Sequence, residues 1–206
     1  MNTIVTIKAF RRADYFKKCL DSITTAYKWQ DYKYLISIDN NEATKIPMIN
    51  CVKEFKDKGA NVKLWYQKSN LGCGGNHFFL MNKAFENNSI DALIHIEEDN
   101  IIAKDCLIWL EWAIEKTYDD DNIFAACSFI RKSQIPWYKS VLSNDLSTTF
   151  YRNHFDCGSS WAMSRKIHEY IKSIDGCFGA IGPTNSDLLP DEWRKSITET
   201  PKGSWA

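Results

Sequence analysis

The chain has 206 residues, with 26 basic and 26 acidic side chains that leave a formal net charge of zero. That length suits a single domain with one good-sized core, and the charge balance gives no sign of a surface dedicated to nucleic acid or anionic membrane, apart from a local basic patch that the sum would hide. No apolar run approaches the roughly 18 residues of a membrane span. A strand over residues 3 to 9 leaves no room for a cleavable leader, so a soluble, cytoplasmic protein is expected.

Ile4–Ala9 reads as a first strand, followed by the basic turn Phe10-Arg11-Arg12. Asp14 is placed to cap a helix on which Phe16, Cys19, Leu20 and Ile23 recur at helical spacing. Tyr34–Ile38 is a second apolar run, stopped by Asp39-Asn40-Asn41. Pro47 opens a helix with Met48, Val52 and Phe55 on one face, and Gly59 is placed to end it. Asn61–Tyr66 alternates as a third strand should, and Lys68–Asn76 leads into a helix bearing Phe78, Leu80, Met81, Ala84 and Phe85. The glycines at 72, 74 and 75 fit neither the dinucleotide fingerprint nor the P-loop, which leaves a turn with close backbone approach.

The stretch Asp91–Asn100 carries the most chemistry. It is a buried-strand pattern that ends in three consecutive carboxylates, Glu97, Glu98 and Asp99. In open α/β sheets that end of a strand is where ligands bind, and a divalent cation is the simplest relief for clustered carboxylates. An ordinary acidic loop is the plainer alternative.

A helix from about Lys104 bears Leu107, Leu110 and Ile114, with Trp109 and Trp112 expected in the core. Asp119–Asp121 reads as a solvated loop rather than a second metal site, and Ile123–Phe129 as another buried run. Five strand signals alternating with four helices predict a mostly parallel sheet covered on both faces. Residues 131 to 149 form a long loop of the kind that serves as a lid or binding loop. Thr149–Phe155 resumes a strand, Asp156–Trp161 turns, and Ser164 caps a helix through Ile171. The remainder is rich in glycine and proline.

Seven cysteines (Cys19, Cys51, Cys73, Cys106, Cys127, Cys157, Cys177) are evenly spread without a C-x-x-C pair, which argues for reduced, packed thiols. The four histidines, His77, His95, His154 and His168, form no zinc pattern.

Several segments, in order, resemble the inverting GT-A glycosyltransferases of the large family 2 kind, with details similar to the N-acetylglucosaminyltransferase I family. Phe10-Arg11-Arg12-Ala13-Asp14-Tyr15-Phe16-Lys17-Lys18-Cys19-Leu20 is similar to the opening Y-N-R-P-D-Y-L-x-x-C-L. Asn70-Leu71-Gly72 with Asn76 resembles the N-x-G segment, and Glu97-Glu98-Asp99 with Ala103-Lys104-Asp105 the E-D-D…A-P-D run. Tyr151-Arg152 through Gly158 and Trp161 resembles the acceptor-side strand and turn. Arg11 stands where that family often has Asn, and Asn100 follows the third carboxylate.

The resemblance implies an α/β fold of the GT-A, Rossmann-like kind, with a mostly parallel central sheet flanked by helices in a single domain over 1–206. Residues 1–105 would form the nucleotide-sugar-binding half and 106–206 the acceptor-side half. It implies a metal-dependent inverting transferase of hexosyl type, moving a sugar from a nucleoside-diphosphate sugar, of which a UDP-sugar is the first choice, to an acceptor hydroxyl. Asp99 would ligate Mn²⁺ or Mg²⁺, and Glu97 or Glu98 would hold bound water or a donor-sugar hydroxyl. Phe10 and Arg12 would lie near the nucleotide, Asp39 would accept from the base, and Asn70 and Asn76 would line the donor pocket. Set against these roles, the plainer alternatives are an exposed arginine after a strand for Arg12 and a turn former for Asp39, whereas Asn70 and Asn76 read equally as helix caps.

Inversion needs a general base. Leu189-Pro190-Asp191-Glu192-Trp193-Arg194 is the best match to the family's late W-D-D-W-like stretch, with Asp191 preferred to Glu192 and with Asp187 and Asp156 behind them. Trp161 and Trp193 are placed to stack on sugar faces or to anchor the core. A nucleotidyltransferase of related layout and a non-catalytic nucleotide-sugar-binding or interaction domain are the rival readings. The acceptor stays open among glycan, lipid-linked sugar, protein, small molecule and modified nucleic-acid base.

Overall fold

A computed structural model describes residues 1–120, 123–128 and 160–173. Six strands, β1 (Thr3–Ala9), β2 (Lys33–Ile38), β3 (Asn61–Tyr66), β4 (Ala92–Glu97), β5 (Ala126–Cys127) and β6 (Trp161–Ser164), form one sheet in the order β3-β2-β1-β4-β6-β5. The pairs β1–β2, β2–β3 and β1–β4 are parallel, whereas β6 runs antiparallel to both β4 and β5. The helices are α1 (Ala13–Ile23), α2 (Lys45–Asp57), α3 (Gly72–Phe85), α4 (Cys106–Thr117) and α5 (Arg165–Ser173). The mostly parallel, two-faced sheet expected from the sequence is therefore what the chain adopts.

The inner strands are apolar on both faces, so helices must cover both. Val5, Ile7 and Ala9 of β1, with Ile36, Ile38, Ile94 and Ile96, pack against α1, α2 and α4 through Phe16, Leu20, Met48, Phe55, Leu107 and Leu110. Ile4, Leu35 and Leu93 pack on the other face against Leu80, Met81 and Phe85 of α3 and Ile167 and Ile171 of α5. On this second face the same strands carry buried polar residues at alternate positions, Thr6, Ser37 and His95.

Local signals held at several element ends. Gly59 follows α2 at φ +104°, and its N–H donates to Lys56 O at 2.8 Å, as the left-handed end of a helix requires. Ser164 Oγ accepts from Ile167 N at 3.3 Å at the start of α5.

Other expectations need correction. Asp14 does not cap α1: the helix already begins at Ala13, and Phe16 N bonds to Arg12 O at 2.9 Å, so Asp14 sits in the first turn. Among the described residues the Ile123–Phe129 run yields only the two-residue β5, and residues 123–127 are half-buried at the end of the sheet order. β6 begins where the sequence suggested the end of a turn. Trp109 packs partly buried on the core, but Trp112, on the outer side of α4, is 40% exposed. Trp161 is 6% exposed, a core residue of β6. The strand read at Thr149–Phe155 and the long loop before it lie outside the described residues.

Candidate functional site

The order β3-β2-β1-β4 reverses direction at β1, and the crevice beyond the C-terminal ends of β1 and its neighbours is the standard ligand position of such sheets. Register sets Ala9 beside Ile38 and Lys8 beside Glu97, so the chain leaves these three strands at one level. Phe10–Arg12, Asp39–Asn41 and Glu97–Asn100 consequently meet there.

The three carboxylates at the end of β4 do not converge. Glu97 is the last strand residue and, by the alternation of the pleat, points to the α3 face. There its Oε1 lies 3.1 Å from Lys8 Nζ and 3.3 Å from His95 Nε2. Glu98 turns the other way under the β1–α1 turn: Oε2 accepts Phe10 N–H and Oε1 accepts Arg12 Nε–H, both at 2.7 Å. Asp99 lies outermost, with Oδ2 3.0 Å from Arg12 Nη1. Two protein cations from the end of β1 thus relieve much of the repulsion that the sequence suggested a metal would relieve.

Exposure grades this cluster. The Glu98 side chain is 8% exposed, that of Asp99 38% and that of Arg12 48%. The Glu98 bonds are charge-assisted and partly dry, whereas the Arg12–Asp99 contact faces water and is worth about 0–1 kcal/mol. The hydrogen bond from Arg12 to Glu98 holds the guanidinium pKa above its ordinary value.

Asp39 organises a second patch. It is buried, and its carboxylate accepts the N–H groups of Leu71 at 2.8 Å and Gly72 at 2.9 Å, as well as that of Asn40. Gly72 stands at φ +72°, a conformation that glycine adopts at little cost. Asn70 is exposed, and its Oδ1 also accepts Gly72 N–H at 2.8 Å, closing an Asx turn. Asn76 is buried: its side chain bonds Ser37 Oγ, and its Nδ2 donates to Ser37 O at 3.2 Å, with Gln67 Nε2 on the same Ser37 Oγ at 2.8 Å. Asp39 and Asn76 therefore pin the start of α3 to β2, while the exposed side chains at this edge are Asn70, Leu71 and Cys73. Phe10 contributes a backbone N–H to Glu98 and a half-buried ring with the Arg11 guanidinium 5.6 Å from its centroid.

A network that sequence reasoning missed lies on the α3 face. Lys8 Nζ touches Glu97 and donates to Cys73 Sγ at 2.8 Å, and His95 Nδ1 lies 3.0 Å from Thr6 Oγ1. His77 stacks edge-on against His95 at 4.4 Å, with Trp161 5.2–5.3 Å from both rings. Burial lowers the pKa of both histidines, so they are held neutral. Burial alone would raise the Glu97 carboxyl, but the His95 hydrogen bond and the Lys8 charge hold it below the ordinary range. The signal was polar residues at alternate positions of otherwise apolar strands.

Among the described residues no group of three or more His, Cys, Asp or Glu side chains is placed to hold a metal ion by itself. Asp99 still suits a hard cation that arrives with a diphosphate, since Mg²⁺-type sites often take one or two protein carboxylates and fill the shell with phosphate and water. Asp119 lies beside Met1 and Asp91, at the opposite end of the sheet. Asp191, Glu192, Asp187, Asp156 and Trp193 lie outside the described residues.

No family model and no curated protein sequence matches the chain. Solved structures do. A mannosyltransferase from Pyrobaculum calidifontis, in complex with GDP-Man and Mn²⁺, superposes with a TM-score of 0.59 at 14% identity over 82% of this chain and 46% of its own. The 1–349 portion of S. aureus TarS, in complex with UDP, gives 0.50 at 16% identity over 62% and 35%. The fold is GT-A. In that GT-A frame the chain spans about a third to a half of the length of these two structures. No helix among the described residues is long and apolar enough to cross a membrane.

Proposed function

We propose that this GT-A chain is a metal-dependent inverting glycosyltransferase, of the family 2 and N-acetylglucosaminyltransferase I kind, that takes its sugar from a nucleoside-diphosphate donor, with UDP-sugar the first choice. The observation that carries the reading is the half-exposed Arg12–Asp99 pair anchored on buried Glu98 at the sheet's switch point. It sets a hard oxygen ligand and a phosphate-matching guanidinium side by side where a diphosphate would lie. The β1–α1 turn, Phe10-Arg11-Arg12, has no glycine to cradle a triphosphate, which disfavours a nucleotidyltransferase.

Asp99 would hold Mn²⁺ or Mg²⁺, which as a Lewis acid would stabilise charge on the departing diphosphate. Arg12 would face the same oxygens. Asp39, by tying down Leu71 and Gly72, shapes the wall against which the base would lie, and Asn70 is the exposed amide on that wall. Buried Glu98 positions Arg12, and Glu97, held ionised by Lys8, would take a donor-sugar hydroxyl or bound water through its exposed edge. Asp191, or Glu192 beside it, would remove the acceptor's proton as its hydroxyl attacks.

Thermal stabilisation by UDP, GDP and other nucleoside diphosphates, with and without Mn²⁺, tests the donor site. A ligand at 100 times its Kd adds about 2.7 kcal/mol to native stability. The expected result is a Mn²⁺-dependent rise with one nucleotide, absent in Asp99→Ala. No rise with any nucleotide sinks the reading. Loss of transfer with nucleotide binding kept in Asp191→Asn or Glu192→Gln separates an enzyme from a binding domain.

A further inference from the structure

Arg12 holds two different carboxylates with two different nitrogens, and the two contacts are unequal. Its Nε bonds Glu98 Oε1 at 2.7 Å, and Glu98 is itself fixed by Phe10 N–H at 2.7 Å and nearly excluded from water. Its Nη1 meets Asp99 Oδ2 at 3.0 Å, between two side chains that both face solvent. The inner contact is an anchor, and the outer one is exchangeable at little cost. A guanidinium has five N–H donors in a rigid fork, so holding Nε on Glu98 fixes its plane while leaving the outer edge able to change partner.

We propose that Arg12 is the resident counter-ion of Asp99, and that it surrenders this carboxylate to the divalent cation and turns its outer edge to the diphosphate that comes with it. The inference rests on the donor-site reading above. Charge supports the exchange. Glu97, Glu98 and Asp99 face Lys8 and Arg12, so the strand end carries one net negative charge, and a dication reverses that sign in favour of an anion. The consequence is an order of preference. A free divalent cation must compete with Arg12 for Asp99 and binds weakly, whereas the cation with a diphosphate gives Arg12 a new partner and binds well. Arg12 thus couples cation and nucleotide occupancy.

The test measures Mn²⁺ binding directly, from the electron paramagnetic resonance signal of free Mn²⁺, for the full chain with and without UDP or GDP. Wild type, Arg12→Gln, Arg12→Lys and Asp99→Asn are compared, with folding checked by circular dichroism. Arg12→Gln is expected to bind Mn²⁺ alone severalfold more tightly than wild type, yet to bind nucleotide in the presence of Mn²⁺ at least tenfold more weakly. Arg12→Lys, which keeps the charge but lacks the fork, is expected to lie between them in both measurements and serves if the Gln variant does not fold. Asp99→Asn is expected to lose Mn²⁺ binding in both. Unchanged or weaker binding of Mn²⁺ alone in a folded Arg12 variant overturns the competition, and unchanged nucleotide affinity overturns the transfer to the diphosphate. If wild type takes up no Mn²⁺ with any nucleoside diphosphate, the donor reading falls and this inference with it. If wild type does and the Arg12 variants match it, this inference alone falls.

Discussion

Glu98 and Asp99 are adjacent in sequence and differ in what their loss should do. Glu98 is nearly buried and accepts two charge-strengthened bonds, from Phe10 N–H and Arg12 Nε–H, so Glu98→Gln removes the anion from both and should cost about 1–3 kcal/mol of stability. Asp99→Asn breaks only the solvent-facing contact with Arg12 and should cost under about 1 kcal/mol, while abolishing cation-dependent nucleotide stabilisation. Urea unfolding of the two variants, with and without Mn²⁺ and nucleotide, checks both halves. Equal stability losses would mean that exposure is a poor guide at this corner. The sequence made all three carboxylates visible as a group, because an apolar run ending in acid is a local pattern. It did not reveal that they split among Lys8, Arg12 and solvent, because that depends on pairing β1 with β4 across 89 residues of chain, as the register of Lys8 on Glu97 shows. Asp39 and Asn76 were likewise visible as polar residues near strand and helix ends, but their burial against the Leu71–Gly72 turn and Ser37 depends on how α3 docks.

At the scale of elements, the legible features were those whose cause is local. Gly59 is one: it follows α2 at φ +104°, and a Cβ there would lie 3.0 Å from Gln30 Nε2, a side chain with some freedom to yield. Gly59→Ala should therefore lose about 1 kcal/mol, chiefly from the backbone conformation, read as a lower midpoint in urea with an unchanged slope. β4 is another. Its continuous apolar run reads as a buried strand, and Leu93, fully buried between α3, β6 and α5, should cost about 2–5 kcal/mol on truncation to Ala. A loss below 1 kcal/mol would place Leu93 in a packing loose enough to collapse. β6 escaped notice for the opposite reason. Trp161–Ser164 is only four residues long and finds its partners in β4 and β5, so nothing in its own spacing marks it.

The molecule as a whole divides by face, and its three described histidines lie on one of them. His77 of α3 and His95 of β4 lie on the face that α3 and α5 cover, and His168 of α5 packs against Phe85 and bonds Asn82 on the same side. Burial lowers all three pKa values. His77 is pushed further down by His95 and Lys8, His95 is partly restored by Glu97, and His168 falls to about 4, with Lys172 and Arg165 adding to the burial and Glu169 opposing it. A histidine held neutral when folded but protonated near pH 6.5 when unfolded makes the unfolded chain bind more protons, so stability rises with pH through that range. The contribution of these residues is complete above about pH 6.5 and is lost on acidification, for His168 over the interval down to about pH 4. The fall in urea midpoint between pH 7.5 and pH 5 should be shallower in His168→Gln than in wild type; parallel curves would remove His168 from the account. The carboxylates add a separate loss at lower pH, since Glu97 and Asp21 have folded pKa values below their ordinary ones. Because α3 carries His77 and its first turn is tied to Asp39, protonation that loosens this face should weaken nucleotide binding before the opposite face, packed by α1, α2 and α4, gives way. Hydrogen exchange at pH 5 should accordingly show residues 71–85 opening ahead of Ala13–Ile23, and the reverse order would separate the site from the histidine face.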